Sequence, residues 1–356
     1  MEPCPPGAPV STVELDELLV TVVVDNATDT LSSVPAGVPQ VAEMVHLLEG
    51  GPSLGTHDGH DLVAVFERLC VACHGFSVLA TGRRGEDAAT VLFDVGPYGD
   101  VWLGNAARLG IELADVSVLF VSHWHGDHTG GIPAVVGAIS EARDRAGREP
   151  LLVDVHPDRP DRRGMLTAPG PFAMLPAEPT FAEIESAGGK VATHADVHAV
   201  AGGLFLSSGD IPRTTDYETG LAVHYTWRGG RAVPDPEIHD ERFLAAQVRG
   251  RGTTVFSACS HAGIVNVGLE ALRLLPERPV DLVLGGYHLA GAAVEDRIGA
   301  TVADLARRVR PRIVAPGHCT GWRAAGALAA AFGPAGFAPS VVGTRFLLEA
   351  PAEPGE

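Results

Sequence analysis

The chain has 356 residues, 46% apolar and 20% charged, with a formal net charge of −18. That length can bury a substantial core, while so acidic a surface repels a phosphate backbone and excludes sequence-independent nucleic-acid binding. No stretch reaches the roughly 18 apolar residues of a membrane span, and Met1 to Pro6 hold neither a basic nor an apolar leader region, so a cytoplasmic protein with no membrane partner is expected. The five cysteines, at 4, 70, 73, 259 and 319, are odd in number and irregularly spaced, which argues against a disulfide framework.

Residues 1–12 read as a disordered lead-in, and the β-branched run 18–24 as a first buried strand ending at the turn pair Asp25-Asn26. Residues 28–60 are rich in Pro, Gly and Ser and read as a loop or insertion, with one apolar-periodic piece near 40–48. Strands at 76–80 and 89–94 flank a polar turn at 82–87 and form a hairpin. A helix at 100–110, a strand at 116–122, a helix at 133–147 and a strand at 151–156 follow. Residues 157–200 are less patterned, although Thr180 to Gly188 has helical spacing. Strands at 203–208, 253–258, 280–285, 312–315 and 341–348 then alternate with helices at 264–275, 295–309 and 321–332. Strands first dominate and then alternate with helices, which is the coarse signature of an α/β architecture with two sheets covered by helices. Residues 13–350 are expected to form one domain.

The densest chemistry is His123-Trp124-His125-Gly126-Asp127-His128, at the end of the apolar run 116–122. An extended backbone projects residues i and i+2 to one side, so His123 and His125 can reach one metal ion. Gly126 permits a sharp turn, after which Asp127 and His128 face a second position. Imidazoles with a carboxylate suit zinc, with iron or manganese as alternatives. Cys70-Val71-Ala72-Cys73-His74 fits the attachment motif of c-type haem. Haem attachment needs export, so a redox dithiol or an incidental pair is the better reading.

This H-x-H-x-D-H pattern resembles the defining motif of the metallo-β-lactamase superfamily. Other segments are similar to one branch of it, the proteins like 7,8-dihydropterin-6-yl-methyl-4-(β-D-ribofuranosyl)aminobenzene 5′-phosphate synthase. They include His74-Gly75-Phe76-Ser77, Leu92-Phe93-Asp94-Val95-Gly96, Ser208-Gly209-Asp210-Ile211-Pro212-Arg213, the stretch Cys259 to Asn266, Gly285 to Leu289, Pro316 to Gly321, and Val342 to Arg345. The resemblance implies an αββα sandwich of two mixed sheets flanked by helices, holding one or two divalent metal ions, zinc first. It implies His318 and His261, each after a strand, as further metal ligands beside His123, His125, Asp127 and His128. Cys259 competes with His261, although a small buried apolar role is favoured for it. Asp94 is expected to order the metal loop by hydrogen bonds.

For catalysis the candidates are Asp127 and His288, and for substrate binding Asp210, Arg213 and Arg345. No unambiguous third histidine stands between the first motif and residue 250; His194, His198 and His239 are weak candidates. The expected function is metal-dependent chemistry on a small, anionic molecule, either synthase-like or hydrolytic on a phosphodiester, lactone or thioester. A metal-redox protein holding iron and a regulatory ligand-binding protein are the other classes.

Overall fold

The computed structural model describes residues 12–40, 53–167 and 169–352. The expected lead-in lies outside these residues except for Thr12, as does the apolar piece near 40–48 except for Gln40. In chain order the strands of the two large sheets are β1 (Glu17–Val24), β2 (Ser77–Arg84), β3 (Asp87–Phe93), β4 (Val116–Phe120), β5 (Leu152–Val155), β6 (Lys190–Thr193), β7 (His198–Val200), β8 (Phe205–Ser207), β9 (Leu244–Val248), β10 (Gly252–Ser257), β11 (Val280–Gly286), β12 (Ile313–Gly317) and β13 (Arg345–Glu349). The first sheet is seven-stranded in the order β6-β5-β4-β3-β2-β1-β13, and the second six-stranded in the order β7-β8-β9-β10-β11-β12. Both are mixed. The run β3 to β6 is parallel, as is β10 to β12, and the other neighbours pair antiparallel.

Alternation along each strand assigns its two faces. Val91, Phe93, Val118 and Phe120 of the first sheet meet Leu244, Phe256, Leu282 and Leu284 of the second in a common core. Phe93 stacks on Phe120 with ring centroids 5.7 Å apart and meets Phe256 at 6.3 Å, joining the sheets through aromatic contact. The neighbours Leu92, Leu119 and Val153 point outward, under Trp102 of helix α1 (Gly99–Arg108) and Ile132, Val135 and Ile139 of α2 (Ile132–Arg145). On the opposite side Val255, Val283 and Val314 pack under Ile264 and Val267 of α3 (Ile264–Leu274) and Leu328 of α4 (Trp322–Phe332). The result is the αββα order of layers.

Pattern reading missed several strands. β9 is Leu244-Ala245-Ala246-Gln247-Val248, short in the β-branched residues that mark a strand, yet it pairs on both sides with β8 and β10. A separate four-stranded sheet (Arg162–Leu166, Phe172–Ala177, His224–Arg228, Arg231–Pro234) has no long apolar run. It is tied to the body by Arg163, fully buried, whose guanidinium lies 2.5 Å from Asp240 and 3.4 Å from Asp235. Ser53–His57 and His60–Val63 form a hairpin that begins within the 28–60 segment expected to be a loop and ends just beyond it. Among the described residues no helix is long and apolar enough to cross a membrane.

β1, β3 and β4 run in one direction, as do β10, β11 and β12. The carboxyl ends of all six deliver Asp25, Asp94, His123, Cys259, His288 and His318 to one edge of the sandwich.

Candidate metal centre

Nε2 of His123, Nδ1 of His125 and Nε2 of His261 converge on one point, at separations of 2.8, 3.1 and 3.2 Å. Which of these nitrogens carries hydrogen follows from their outer partners. Nδ1 of His224 lies 2.6 Å from the main-chain oxygen of Asp235, which can only accept, so that nitrogen is protonated. Nε2 of His224 therefore accepts from Nε2 of His125 at 2.9 Å, and Nδ1 of His125 presents a lone pair inward. Ser122 donates its hydroxyl hydrogen to Asp94 Oδ2 at 2.6 Å, so its oxygen accepts from Nδ1 of His123 at 2.8 Å. Nε2 of His123 is then also bare. Burial first, and the neighbouring charges after it, hold His123, His125 and His261 well below the ordinary imidazole range, so all three are neutral. Three inward nitrogens cannot all satisfy one another by hydrogen bonds. A cation at their centre satisfies all three.

The second group comprises Asp127, His128, Cys259 and His318, whose donor atoms lie within 4.8 Å of one another. Asp94 Oδ2 accepts from Nδ1 of His128 at 2.9 Å, leaving Nε2 of that ring facing the Cys259 sulfur at 3.2 Å. The Asn26 amide is oriented by accepting from Gly75 N–H and donating to the His318 carbonyl. Its oxygen accepts from Nδ1 of His318 at 3.0 Å. Nε2 of His318 is consequently bare and buried without a hydrogen-bond partner, 3.3 Å from Asp127 Oδ2. A lone pair against a carboxylate oxygen is repulsive unless a cation lies between them. Both groups thus fit divalent ions, and the Cys259 thiol inclines the second toward zinc. Burial works against charge on His128, but the Asp127 and Asp94 carboxylates outweigh it and raise that ring to about 9.

The supporting residues are buried and bonded. Asp240 accepts from the Trp124 amide at 2.7 Å and Glu241 from the amides of His261 and Ala262, both at 2.7 Å, fixing the two turns that carry the first histidine group. Asp25 takes the His318 amide at 2.7 Å. Asp94, Ser260, His288 and His318 all adopt positive φ, between 46° and 58°. Side chains rarely adopt that conformation, and here it turns each loop back over the strand ends.

Comparison with known proteins agrees with this geometry. Residues 72–149, which include the histidine cluster, match the sequence profile of the metallo-beta-lactamase superfamily. The crystal structure of Tm1679, a metal-dependent hydrolase of the beta-lactamase superfamily, superposes with a TM-score of 0.63 at 21% identity, covering 93% of this chain and 99% of that one, which shows the shared fold. Residues 72–149 thus carry a metallo-β-lactamase match, and the chain shares the metallo-β-lactamase fold. It is also 28% identical over 254 residues to the 7,8-dihydropterin-6-methyl-4-(β-D-ribofuranosyl)-aminobenzene-5′-phosphate synthase of Methanocaldococcus jannaschii, covering 70% of this chain and 82% of the relative. A shorter match, 33% over 83 residues, links it to the lactamase-like protein aptB of Emericella nidulans, covering 21% of this chain and 25% of that one.

The structure brings His123, His125 and His261 into one group and Asp127, His128 and His318 into the adjacent one. His288 joins their rim, its ring 4.4 Å from that of His261. Cys259, read from sequence as a small buried apolar residue, is buried, and its sulfur lies 3.2 Å from Nε2 of His128. Arg345 is not brought in. Its guanidinium donates to the Leu109 carbonyl at 2.6 Å, on the helix-covered face of the first sheet, because β13 places it opposite Phe346 of the core. Arg213 is spent on the carbonyls of Ile211 and Glu237, and Asp210 pairs with His239 at 3.1 Å; neither is in a metal group. The weak candidates also resolve. His239 is exposed, and His194 and His198 form a separate group with Asp154. The histidine that sequence missed is His224, which reaches His125 from the small sheet. Its one signal was the buried alternation of His224 and Thr226.

Proposed function

We propose that this protein is a zinc enzyme with a two-ion centre, acting on a small phosphorylated substrate in the manner of the pterin and aminobenzene ribosyl phosphate synthase it is similar to. The observation that carries the metal reading is the set of three rings, His123, His125 and His318, each with its outer nitrogen engaged so that the inner one is a lone pair. His123, His125 and His261 would hold one ion, and Asp127, His128, Cys259 and His318 the other. A bound zinc ion supplies Lewis acidity toward a substrate oxygen.

The chain's own groups set the rest. Asp127 accepts from Nε2 of His74 at 3.3 Å and stands on the open side of the second group, placed to receive a proton. His288 has a buried Nδ1 without a hydrogen-bond partner, available to a substrate atom at the rim. Arg213 and Asp210 brace the adjoining loop, where a substrate's anionic end would lie.

Metal analysis of the purified protein, with assays on a pterin alcohol plus an aminobenzene ribosyl phosphate, tests this reading. Bound zinc and metal-dependent coupling support it. Metal-dependent hydrolysis of a phosphodiester, lactone or thioester in place of coupling would move the protein to the hydrolytic class. A metal-free protein that binds these ligands unchanged would end the enzyme reading.

A further inference from the structure

Sγ of Cys319 lies 3.5 Å from Sγ of Cys259. The two residues follow β12 and β10, which are separated in the sheet by β11. The sulfurs can meet across the intervening strand because β11 ends in Gly286. A Cβ on Gly286 would stand 2.7 Å from the Cys319 sulfur and 2.4 Å from the Ala258 carbonyl oxygen, closer than such atoms ever come. Cys259 is buried and Cys319 half-buried, so a small oxidant meets Cys319 first. Cys319 belongs to neither metal group, whereas Cys259 is a member of the second.

The geometry points to Cys259 and Cys319 as an oxidisable pair whose disulfide withdraws a sulfur donor from the second metal group. With hydrogen peroxide as oxidant, the Cys319 sulfur attacks one peroxide oxygen, the O–O bond breaks, and hydroxide leaves and takes a proton to become water. The sulfenic acid on Cys319 is then attacked by the Cys259 sulfur. The S–O bond breaks, a second water departs, and the S–S bond forms. Two thiols lose two electrons and one peroxide gains them. Closure requires the sulfurs to approach from 3.5 Å to about 2.05 Å, which draws Cys259 toward Cys319 and away from Nε2 of His128. The Cys70 and Cys73 thiols, packed in the helix-covered layer, give an internal comparison.

Disulfide formation stands on the sulfur geometry alone; loss of metal rests also on the two-ion reading. The experiment starts from reduced, zinc-loaded protein, whose metal content is measured before peroxide is added. Thiol titration, peptide mapping by mass spectrometry and metal content are then followed with peroxide dose. The expected result is loss of two thiols, a Cys259–Cys319 cross-linked peptide, release of one equivalent of zinc, and reversal by a dithiol reductant with zinc. Cys319→Ser is expected to load zinc normally and keep it at the same peroxide dose; Cys319→Ala serves if the serine variant folds poorly. A cross-link confined to Cys70 and Cys73, no cross-link at all, or a Cys259–Cys319 cross-link with zinc fully retained would overturn the inference. Reduced protein that binds no zinc would instead sink the two-ion reading, while the cross-link would still decide the disulfide.

Discussion

The main-chain oxygen of Asp235 and Nδ1 of His224 lie 2.6 Å apart, and this contact leaves Nδ1 of His125 bare toward His123 and His261. His224→Phe removes the acceptor from Nε2 of His125 and leaves a buried N–H unpaired. Zinc affinity at the first group is expected to fall about 10–100-fold, the usual cost of losing such a partner. Competition with a chromophoric chelator measures it. His224→Gln, whose amide oxygen can still accept, should recover part of the loss; equal losses in both variants would show that His224 acts only by filling space.

Asp94 serves both groups through one carboxylate, accepting from His128 directly and from His123 by way of Ser122. Asp94→Asn keeps the shape, and asparagine tolerates the positive φ of 55° found there. Its single oxygen cannot accept from the Ser122 amide at Oδ1 and from the two donors at Oδ2 together. Zinc retention is expected to fall at both groups together, by at least about tenfold, with circular dichroism unchanged. Loss confined to one group would refute the shared role.

His128 stands near 9, with burial opposing and the carboxylates of Asp127 and Asp94 prevailing. Below that value an ion entering the second group must displace its proton. Apparent zinc affinity should therefore rise with pH up to about 9, by roughly tenfold per unit for one displaced proton. Calorimetric titrations in buffers of different ionisation heat should report the proton released. A flat affinity between about pH 7 and about pH 9 would contradict this.

Asp154 is buried, which alone would raise its carboxyl, but hydrogen bonds from His194 and His198 and the charge of Arg242 hold it far below the usual range. A depressed carboxyl contributes stability that is complete above its unfolded value, near 3.9, and is lost as pH falls below it. Asp154→Asn leaves the fully buried Arg242 without its anion. Urea unfolding should show a loss of about 3–5 kcal/mol near neutral pH. The gap to the parent should shrink as pH is lowered from about 5 to about 2; a constant gap would mean the pair does not act through charge.

Much of the site's chemistry lay in the sequence because His123, His125, Asp127 and His128 are local, and strand periodicity with a glycine turn fixes their relative aim. The apolar runs within Asp87–Phe93 and Val116–Phe120 likewise marked strands buried on both faces, since a continuous apolar run needs no knowledge of its partner to signal burial. His224 and β9 were beyond such reading. Their strands are polar or alanine-rich and exist because neighbouring strands and the Arg163–Asp240 pair hold them. Arg213 and Arg345 look alike in sequence as free cations, yet carbonyl oxygens on loops far along the chain claim both guanidinium groups. Chain-local residue types chose the ligands on offer. Only tertiary structure decided which nitrogen of each ring is bare and that Cys259 faces His128 with Cys319 behind it, because those choices depend on hydrogen-bond partners and a sidechain-free glycine many residues away.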